Sequence, residues 1–204
     1  MEKKNHWEDV YQKKSPTAVS WYQSHLKKSL EFISKTGISK NASILDLGGG
    51  ASTLVDDLLA QQYERITVVD LISESLKKAK ERLGKLAEKV TWIETDITRA
   101  SFPVNSFDLW HDRAVFHFLT NPEDRKKYIK TLTNSLKSGG YLIMATFSLD
   151  GPLKCSGLEV MRYSPETLSR ELGAGFNLLK SSKERHQTPF NTFQNFSYSL
   201  FKRS

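Results

Sequence analysis

Two carboxylates flank a run of glycines at a spacing that suits the binding of a nucleotide. Asp46 lies in the apolar run 43–47, and three glycines, 48–50, follow that run directly. A second apolar run, 66–69, ends in Asp70 about twenty residues further on. Glycines let the backbone adopt positive φ and let a ligand approach without meeting a Cβ. A carboxylate at the end of the second strand can accept two hydrogen bonds from a ribose diol, so the stretch predicts a nucleotide-binding corner.

The charge beside this corner favours one class of cofactor. A dinucleotide brings an anionic pyrophosphate to such a turn and usually meets Gly-x-Gly-x-x-Gly. Here Thr53 occupies the third position and Asp46 precedes the turn. A carboxylate repels a pyrophosphate but attracts the ammonium and sulfonium groups of S-adenosylmethionine (SAM). The residues therefore favour SAM, with an NAD-type Rossmann oxidoreductase as the alternative.

Polar side chains also follow two later strand patterns. Asp96 comes after the run 90–94, where it could bind an adenine amino group or close a turn on its own backbone. The fourth pattern, 107–110, leads into four ionisable side chains that would lie at the edge of the cleft: His111, Asp112, Arg113 and His117.

These four side chains allow two interpretations. Asp112 could orient a target amine next to the sulfonium or could pair with Arg113. The two histidines could deprotonate a nucleophile near neutral pH. Alternatively, His117 is a partly buried helix residue and Arg113 a structural ion-pair partner.

Five motifs between residues 44 and 147 resemble, in their order, the class I, Rossmann-like SAM-dependent methyltransferases. They are Leu-Asp-Leu-Gly-Gly-Gly, Val-Val-Asp, Glu-Thr-Asp-Ile, Phe-Asp-Leu-Trp-His-Asp-Arg and Ser-Gly-Gly-Tyr-Leu-Ile. The resemblance implies an α/β fold with a seven-stranded, mostly parallel sheet, an antiparallel last strand and helices on both faces. It implies SAM as cofactor and S-adenosylhomocysteine (SAH) as product.

The resemblance also implies which residues contact the cofactor. It assigns the methionine part to Asp46 and its glycines, the ribose to Asp70 and the adenine to Asp96 and Ile97. With their neighbours, the predicted cofactor-binding set is Asp46, Gly48, Gly49, Gly50, Ser52, Asp70, Leu71, Asp96, Ile97, His111, Tyr11 and Trp21. The predicted catalytic set is Asp112, His111, Arg113 and His117, with no metal ligand.

Weaker similarity, in Val-Ser-Trp-Tyr at 19–22 and in Asp112-Arg113, links the chain to a subgroup that includes protein lysine methyltransferases. That subgroup usually has Asp-Lys-Gly where this chain has Asp112-Arg113-Ala114, so its substrate does not carry over. The chain lacks an Asn-Pro-Pro-Tyr-type sequence after the fourth strand, which by family resemblance argues against methylation of the exocyclic amines of adenine or cytosine. We expect a methyltransferase acting on a small molecule or a protein lysine, with a non-catalytic SAM-binding module as another alternative.

The composition sets outer limits on these hypotheses. A chain of 204 residues is sufficient for one domain with a single substantial core. Its net charge of +7 is spread over mixed-sign helix faces, so a nucleic-acid partner is not expected. The single cysteine, Cys155, agrees with a reducing cytoplasm, and no segment predicts a signal peptide or a membrane helix. The oligomeric state is not predicted.

The pattern along the chain alternates between strands and helices, which favours a parallel sheet with crossover helices. We divide the domain 1–204 into an N-terminal helical lid (1–40), a cofactor-binding core (41–147) and a substrate loop with the C-terminal strands (148–204). Expected helices cover 7–36, the stretch after Thr53, 73–83 with Ser73 as N-cap, 122–136 with Asn121 as N-cap, and 165–173. Expected strands cover 43–47, 66–70, 90–94, 107–110, 141–147, 176–181 and 192–201.

Three regions carry further hypotheses about the cleft. The aromatic residues Trp7, Tyr11, Trp21 and Tyr22 either pack a helix onto the sheet edge or form a lid over the cofactor. The loop 148–162 is expected to carry substrate contacts, and the turn 186–190 could overhang the cleft.

Overall fold

The computed structural model describes residues 2–13 and 15–204, which form a seven-stranded sheet with helices on both faces. Its strands are β1 (Ser43–Leu47), β2 (Arg65–Asp70), β3 (Val90–Glu94), β4 (Phe107–Arg113), β5 (Leu136–Phe147), β8 (Phe176–Gln187) and β9 (Phe193–Arg203). A separate two-stranded hairpin contains β6 (Lys154–Cys155) and β7 (Leu158–Glu159). Across the sheet the strands follow the order β3-β2-β1-β4-β5-β9-β8.

Strand β9 is antiparallel to both of its neighbours, and every other adjacent pair in the sheet is parallel. The predicted topology, including the reversed last strand, is confirmed. The carboxyl ends of the parallel strands meet the start of β9 at one edge, where ligands bind in open α/β sheets.

The helices are α1 (Glu2–Lys13), α2 (Lys27–Thr36), α3 (Leu54–Ala60), α4 (Ser73–Leu83), α5 (Pro122–Ser135) and α6 (Pro165–Leu172). Short 3-10 helices cover Pro16–Ala18, Gly84–Lys89 and Phe116–Phe118. Strand β1 is buried along its whole length, as expected for a central parallel strand covered on both faces. Its Ile44 and Leu45 point into two different hydrophobic clusters, one on each side of the sheet.

The helix predicted over 7–36 is wrong as a single element. Lys14 lies outside the described residues, and a 3-10 helix begins at Pro16, capped by the Ser15 hydroxyl. Because proline lacks an N–H, it cannot continue a helix from the preceding turn. Residues 19–26 then form an irregular segment before α2, which ends as predicted at Gly37 in the left-handed conformation.

Several predicted boundaries shift for local reasons. Ser73 is the first helical residue rather than the N-cap, which is Ile72. Strand β5 begins at Leu136, since Leu136 already pairs with Phe107 of β4. The pairing then shifts register between Phe107 and Leu109, opposite a stretch in which Gly139 adopts φ +74°. The Asn121 cap of α5 is confirmed, with its side chain accepting the Glu123 N–H at 2.9 Å.

Two differences affect the site directly. Strand β4 continues to Arg113, three residues beyond its predicted end. Strand β8 continues to Gln187, so His186 belongs to the strand rather than to a turn.

Candidate functional site

The glycine turn after β1 is shaped by its own protein neighbours. Gly48 has φ +70°, and its N–H donates to the Val69 carbonyl at 2.7 Å. A Cβ at Gly48 would lie 2.3 Å from Cγ2 of Val115, and a Cβ at Gly49 would lie 2.4 Å from Oδ2 of Asp46. These close approaches and the positive φ at Gly48 explain why glycine stands at both positions.

Asp70 fastens this turn to the end of β2. Its carboxylate accepts the Gly50 N–H at 3.0 Å and the Ile72 N–H at 3.0 Å. Burial raises the pKa of Asp70 to about 6, although both backbone N–H groups favour the ionised form. The carboxylate also lines the large cavity described below.

Asp46 is buried beside the same turn and pairs with His111. Its Oδ1 lies 2.7 Å from His111 Nδ1, and His111 Nε2 lies 2.9 Å from the Ser29 hydroxyl. In the neutral tautomer of His111 that donates from Nδ1 to Asp46, Nε2 accepts the Ser29 hydroxyl. The second oxygen of Asp46 has no hydrogen-bond partner among the described residues. Asp46 also borders a small cavity of about 30 Å³, which is large enough for one or two water molecules.

A larger cavity of about 580 Å³ opens over the carboxyl ends of the strands. This volume lies in the usual range of small-molecule sites. Of the predicted cofactor-binding residues, the following line it: Tyr11, Trp21, Gly48, Asp70, Leu71, Asp96 and Ile97. Gly48, Trp21 and Arg113 border both cavities, so the two spaces share a wall.

The remaining predicted cofactor-binding residues lie around this wall rather than along the large cavity. Asp46, Ser52 and His111 border the small cavity. Gly49 and Gly50 border neither cavity and pack against Asp46, Asp70 and Ser75.

Asp96 lines the large cavity and also closes a turn. Its Oδ1 accepts the Thr98 N–H at 2.9 Å and the Thr98 hydroxyl at 2.8 Å. The turn interpretation therefore holds for one oxygen, and the side chain still borders the space where an adenine-binding role was predicted.

The extension of β4 separates Asp112 from its neighbours, because alternate side chains of a strand point to opposite faces. Asp112 is fully buried away from both cavities. Its carboxylate accepts the Tyr128 hydroxyl at 2.6 Å and the backbone N–H groups of Val115 and Phe116. Burial raises its pKa to about 6. This geometry argues against contact between Asp112 and an acceptor and supports a role in holding the 3-10 helix.

His117 is also buried and borders neither cavity. Burial and the nearby Arg113 charge lower its pKa to about 3, so the ring is neutral near pH 7. Its Nδ1 lies 3.4 Å from the Phe147 N–H. The buried-residue interpretation is the one that this geometry supports.

Arg113 is held by several groups at once. Its Nε donates to the Tyr198 hydroxyl at 3.0 Å and its Nη1 to the Trp21 carbonyl at 3.1 Å. Glu184 lies 3.8 Å from Nη2, and the guanidinium stacks on the Phe196 ring at 4.7 Å. Two of its N–H groups thus donate hydrogen bonds and Nη2 faces Glu184, so groups of the protein itself hold the guanidinium in place.

The aromatic residues near the N-terminus form part of the cavity wall. Trp7 packs edge-to-face on Trp21 at 5.6 Å and on Phe118 at 5.1 Å, and it lies 6.2 Å from Tyr11. The rings of Trp7, Tyr11, Trp21 and Phe118 all line the large cavity. The packing and lid interpretations are therefore compatible, since the same rings pack together and cover the space.

Sequence reasoning missed many of the residues that line the large cavity. Among them are Trp7, Phe118, Cys155, Gln194 and Phe196, together with the charged residues Lys4, Arg99, Asp124 and Lys127. Cys155 lies in the loop expected to carry substrate contacts, and burial raises its pKa to about 11. Gln194 and Phe196 have no motif that marks them. They reach the cavity because β9 runs antiparallel and starts at this edge.

The described residues contain neither a candidate metal site nor a candidate membrane-spanning helix. Among residues 2–13 and 15–204, no cluster of three His, Cys, Asp or Glu side chains is arranged to hold a metal ion. Within the same ranges, no helix has both the length and the apolar character needed to cross a bilayer.

Comparison with protein families and with individual proteins gives consistent matches. A family model described as a methyltransferase domain matches residues 45–144. The chain is 24% identical over 195 residues to human "EEF1A lysine methyltransferase 2", covering 87% of this chain and 75% of that protein. It is 27% identical over 120 residues to mouse "eEF1A lysine and N-terminal methyltransferase", covering 59% of this chain but only 17% of the relative's length.

A solved structure shares the fold across the whole chain. It is a Burkholderia thailandensis 1,6-didemethyltoxoflavin-N1-methyltransferase with bound 1,6-didemethyltoxoflavin and SAH. The TM-score is 0.70 at 18% identity, and the match covers 100% of this chain and 84% of that structure.

Proposed function

Because this chain is a class I SAM-dependent methyltransferase, we propose that its large cavity holds SAM on one side and the methyl acceptor on the other. The donor half is defined by residues at the ends of β1, β2 and β3: Gly48, Asp70, Leu71, Asp96 and Ile97. The acceptor half is defined by residues of α1, the segment before α2, the end of β4 with the 3-10 helix that follows it, β6 and the start of β9. These residues are Trp7, Trp21, Arg113, Phe118, Cys155, Gln194 and Phe196. The oxidoreductase alternative is set aside.

The observation that carries the donor assignment is the unpaired oxygen of Asp46. It is buried, and no group among the described residues donates to it. A buried carboxylate oxygen without a partner is costly, and a cation beside it removes much of that cost. Gly48 borders both cavities beside Asp46. The ammonium group of the methionine part of SAM, placed next to the glycine turn, would therefore be a favourable partner for Asp46.

The residues of the chain then have separate tasks. When bound, SAM supplies a methyl group already activated by positive sulfur. Asp70 and Asp96 offer acceptors for the ribose hydroxyls and the adenine amino group. Trp7 and Trp21 cover the space and exclude water, which favours transfer to the acceptor over side reactions.

We propose a small molecule as acceptor. The acceptor half as defined above is mainly aromatic, and its charged side chain, Arg113, already contacts Tyr198, Trp21 and Glu184. The other charged residues that line the cavity are Lys4, Arg99, Asp124 and Lys127, of which Lys4 pairs with Glu94 and Lys127 with Asp124. The aromatic wall of the acceptor half favours an uncharged nucleophile on an apolar or aromatic body. A protein lysine is the alternative, supported by the names of the human and mouse relatives. Nucleic acid is not part of the proposal.

Calorimetry tests the donor assignment. SAM and SAH should bind and NADH should not. Asp46→Asn should weaken SAM binding by about ten- to hundredfold, because a charge-assisted contact is lost. Asp56→Asn is the matched control, since it removes the same charge from a carboxylate that pairs with Arg82 outside both cavities. Equal affinities for all three proteins would reject the role of Asp46.

Transfer of an isotopically labelled methyl group into a cell lysate tests the acceptor assignment. Label in the small-molecule fraction supports the proposal, and label on protein lysines supports the alternative. If SAM binds but neither fraction gains label above a no-enzyme control, the non-catalytic module is favoured.

We also propose that the protein works in a reducing compartment such as the cytoplasm. The support is its single cysteine, whose thiol is buried. Cell fractionation followed by immunodetection would test this assignment.

A further inference from the structure

We propose that Arg113 is a positioning residue that fixes the acceptor half of the cavity through the irregular segment 19–26, here called the strap. The inference rests on the proposed function, because it explains how the wall around the acceptor is held. It gives Arg113 a role without any contact between its guanidinium and the substrate.

The strap forms no helix or strand, yet it is anchored at both ends. Val19 and Leu26 are buried, while Ser24 and His25 are exposed. A backbone of this kind needs partners for its carbonyl groups wherever it lies against the protein. Trp21 belongs to the strap and borders both cavities, so the position of the strap shapes the wall between them.

Three side chains from separate parts of the fold supply those partners. His186 on β8 lies 2.8 Å from the Ser20 carbonyl, and the Thr53 hydroxyl beside the glycine turn donates to the Gln23 carbonyl at 2.8 Å. Between these two contacts, Arg113 on β4 donates to the Trp21 carbonyl at 3.1 Å. Arg113 therefore holds the residue that forms the shared wall.

Arg113 is itself the start of a buried hydrogen-bond chain that ends at Asp46. Its Nε donates to Tyr198 Oη at 3.0 Å, and Tyr198 Oη lies 3.4 Å from Ser29 Oγ. Ser29 bonds His111, which bonds Asp46. In the neutral tautomer of His111 that donates to Asp46, every donor in the series can point toward the Asp46 carboxylate, and hydrogen bonds aligned in this way reinforce one another.

This arrangement connects the two halves of the cavity. Asp46 borders the corner assigned to the donor, and Trp21 borders the space assigned to the acceptor. Because Ser29 and Tyr198 are fully buried and border neither cavity, water cannot easily replace these two links. Loss of the guanidinium should therefore loosen the strap while leaving the contacts of Asp70 intact.

The test follows Trp21 by fluorine NMR of protein labelled with 5-fluorotryptophan, alongside chymotrypsin cleavage after Trp21 or Tyr22. The variants are Arg113→Gln, Arg113→Lys and Tyr198→Phe, with Trp21→Phe to assign the signal. Trp110, which is fully buried and borders neither cavity, reports on the rest of the fold in the same spectrum. Arg162→Gln is the matched control, since Arg162 also donates to backbone carbonyls, those of Leu149 and Gly151.

In Arg113→Gln the Trp21 signal should broaden and cleavage should accelerate about ten- to hundredfold, as expected for the loss of one charge-assisted hydrogen bond. Arg113→Lys should recover part of the protection, and Arg162→Gln should leave the strap unchanged. The dissociation constant of SAH, measured by calorimetry, should rise by a smaller factor than the rate of strap cleavage. If wild-type protein fails to bind SAH, the donor assignment fails, but the strap measurement can still be made.

Wild-type spectra and cleavage rates in Arg113→Gln would overturn the proposal. If the Trp110 signal shows that Arg113→Gln is unfolded, Tyr198→Phe tests the proposal instead, because it removes only one hydroxyl from the hydrogen-bond series between Arg113 and Asp46. Its strap should then be cleaved faster than that of wild type, and an unchanged rate would overturn the proposal.

Discussion

The two halves of the large cavity are built in different ways. In the donor half, carboxylates stand at strand ends within short motifs, and each carboxylate is fixed by backbone N–H groups one or two residues away or by the glycine turn. In the acceptor half, aromatic and neutral side chains from five separate parts of the chain come together around Arg113, which donates to Tyr198 and to the Trp21 carbonyl. Local geometry thus specifies the donor half, whereas tertiary packing specifies the acceptor half. Substitutions in the two halves should therefore have separable effects.

The largest separation is expected for Asp70→Ala in the donor half. The change removes an acceptor for the ribose and leaves the Gly50 and Ile72 N–H groups without their partner. SAH affinity measured by calorimetry should fall about a hundredfold, since each unsatisfied buried donor costs about 1–3 kcal/mol.

Asp108→Ala provides the control for that loss. Asp108 also accepts a backbone N–H, that of Ser43 at 2.8 Å, but it borders neither cavity. It should leave SAH affinity within about twofold. A similar loss in both variants would show that the effect comes from the fold and not from the donor half.

Asp112→Asn should affect stability rather than binding. The carboxylate accepts from Tyr128, Val115 and Phe116, so an amide there places an N–H group against donors. Urea unfolding should show a loss of about 1–3 kcal/mol, with SAH affinity nearly unchanged. Unchanged stability together with a large loss of methyl transfer would restore the catalytic hypothesis for Asp112.

Lower pH should weaken SAH binding through Asp70. Burial raises its pKa to about 6, so the free protein gains a proton there as the pH falls below this value. A protonated carboxyl group accepts fewer hydrogen bonds from a ribose diol, and the bound state therefore favours the ionised form. Affinity should fall by about tenfold between pH 7 and pH 5, the dependence expected for one proton.

Asp70→Asn should remove most of this pH dependence while retaining the fold. A dependence that is the same in the variant would assign the titration to another group.

The smallest effect on the donor half is expected for Cys155→Ser. Cys155 lines the acceptor half, and its thiol is buried with a raised pKa. SAH affinity should stay within about twofold of wild type, because additivity holds for separated sites. A tenfold loss would show that the two halves do not respond independently.

The difference between the halves also explains how much the sequence could predict. The strands of the core and the positions of Asp70 and Asp96 at strand ends follow from local periodicity, whereas the reversed last strand and the place of Ile97 beside the cavity were implied by the family resemblance. The extension of β4 to Arg113 could not be read from periodicity, because His111, Asp112 and Arg113 are polar and yet belong to a buried strand. That extension decided which face Asp112 occupies.

The acceptor half was less accessible for a related reason. Phe118 and Phe196 carry no local signal, and their place in the wall depends on contacts between residues far apart in the chain. The break in the predicted N-terminal helix has a local signal in Pro16, but the partners that hold the strap come from β4 and β8. Long-range partners of this kind are not encoded in a short sequence window.

The position of β9 has a consequence for synthesis of the protein. This strand lies between β5 and β8, although it follows both in the chain. A nascent chain that has not yet released residues 193–203 from the ribosome would present two open strand edges and a cleft without Gln194 and Phe196. Assembly of the acceptor wall must therefore wait for the end of translation of this strand, and until then the chain is at its most vulnerable to aggregation and to chaperone capture.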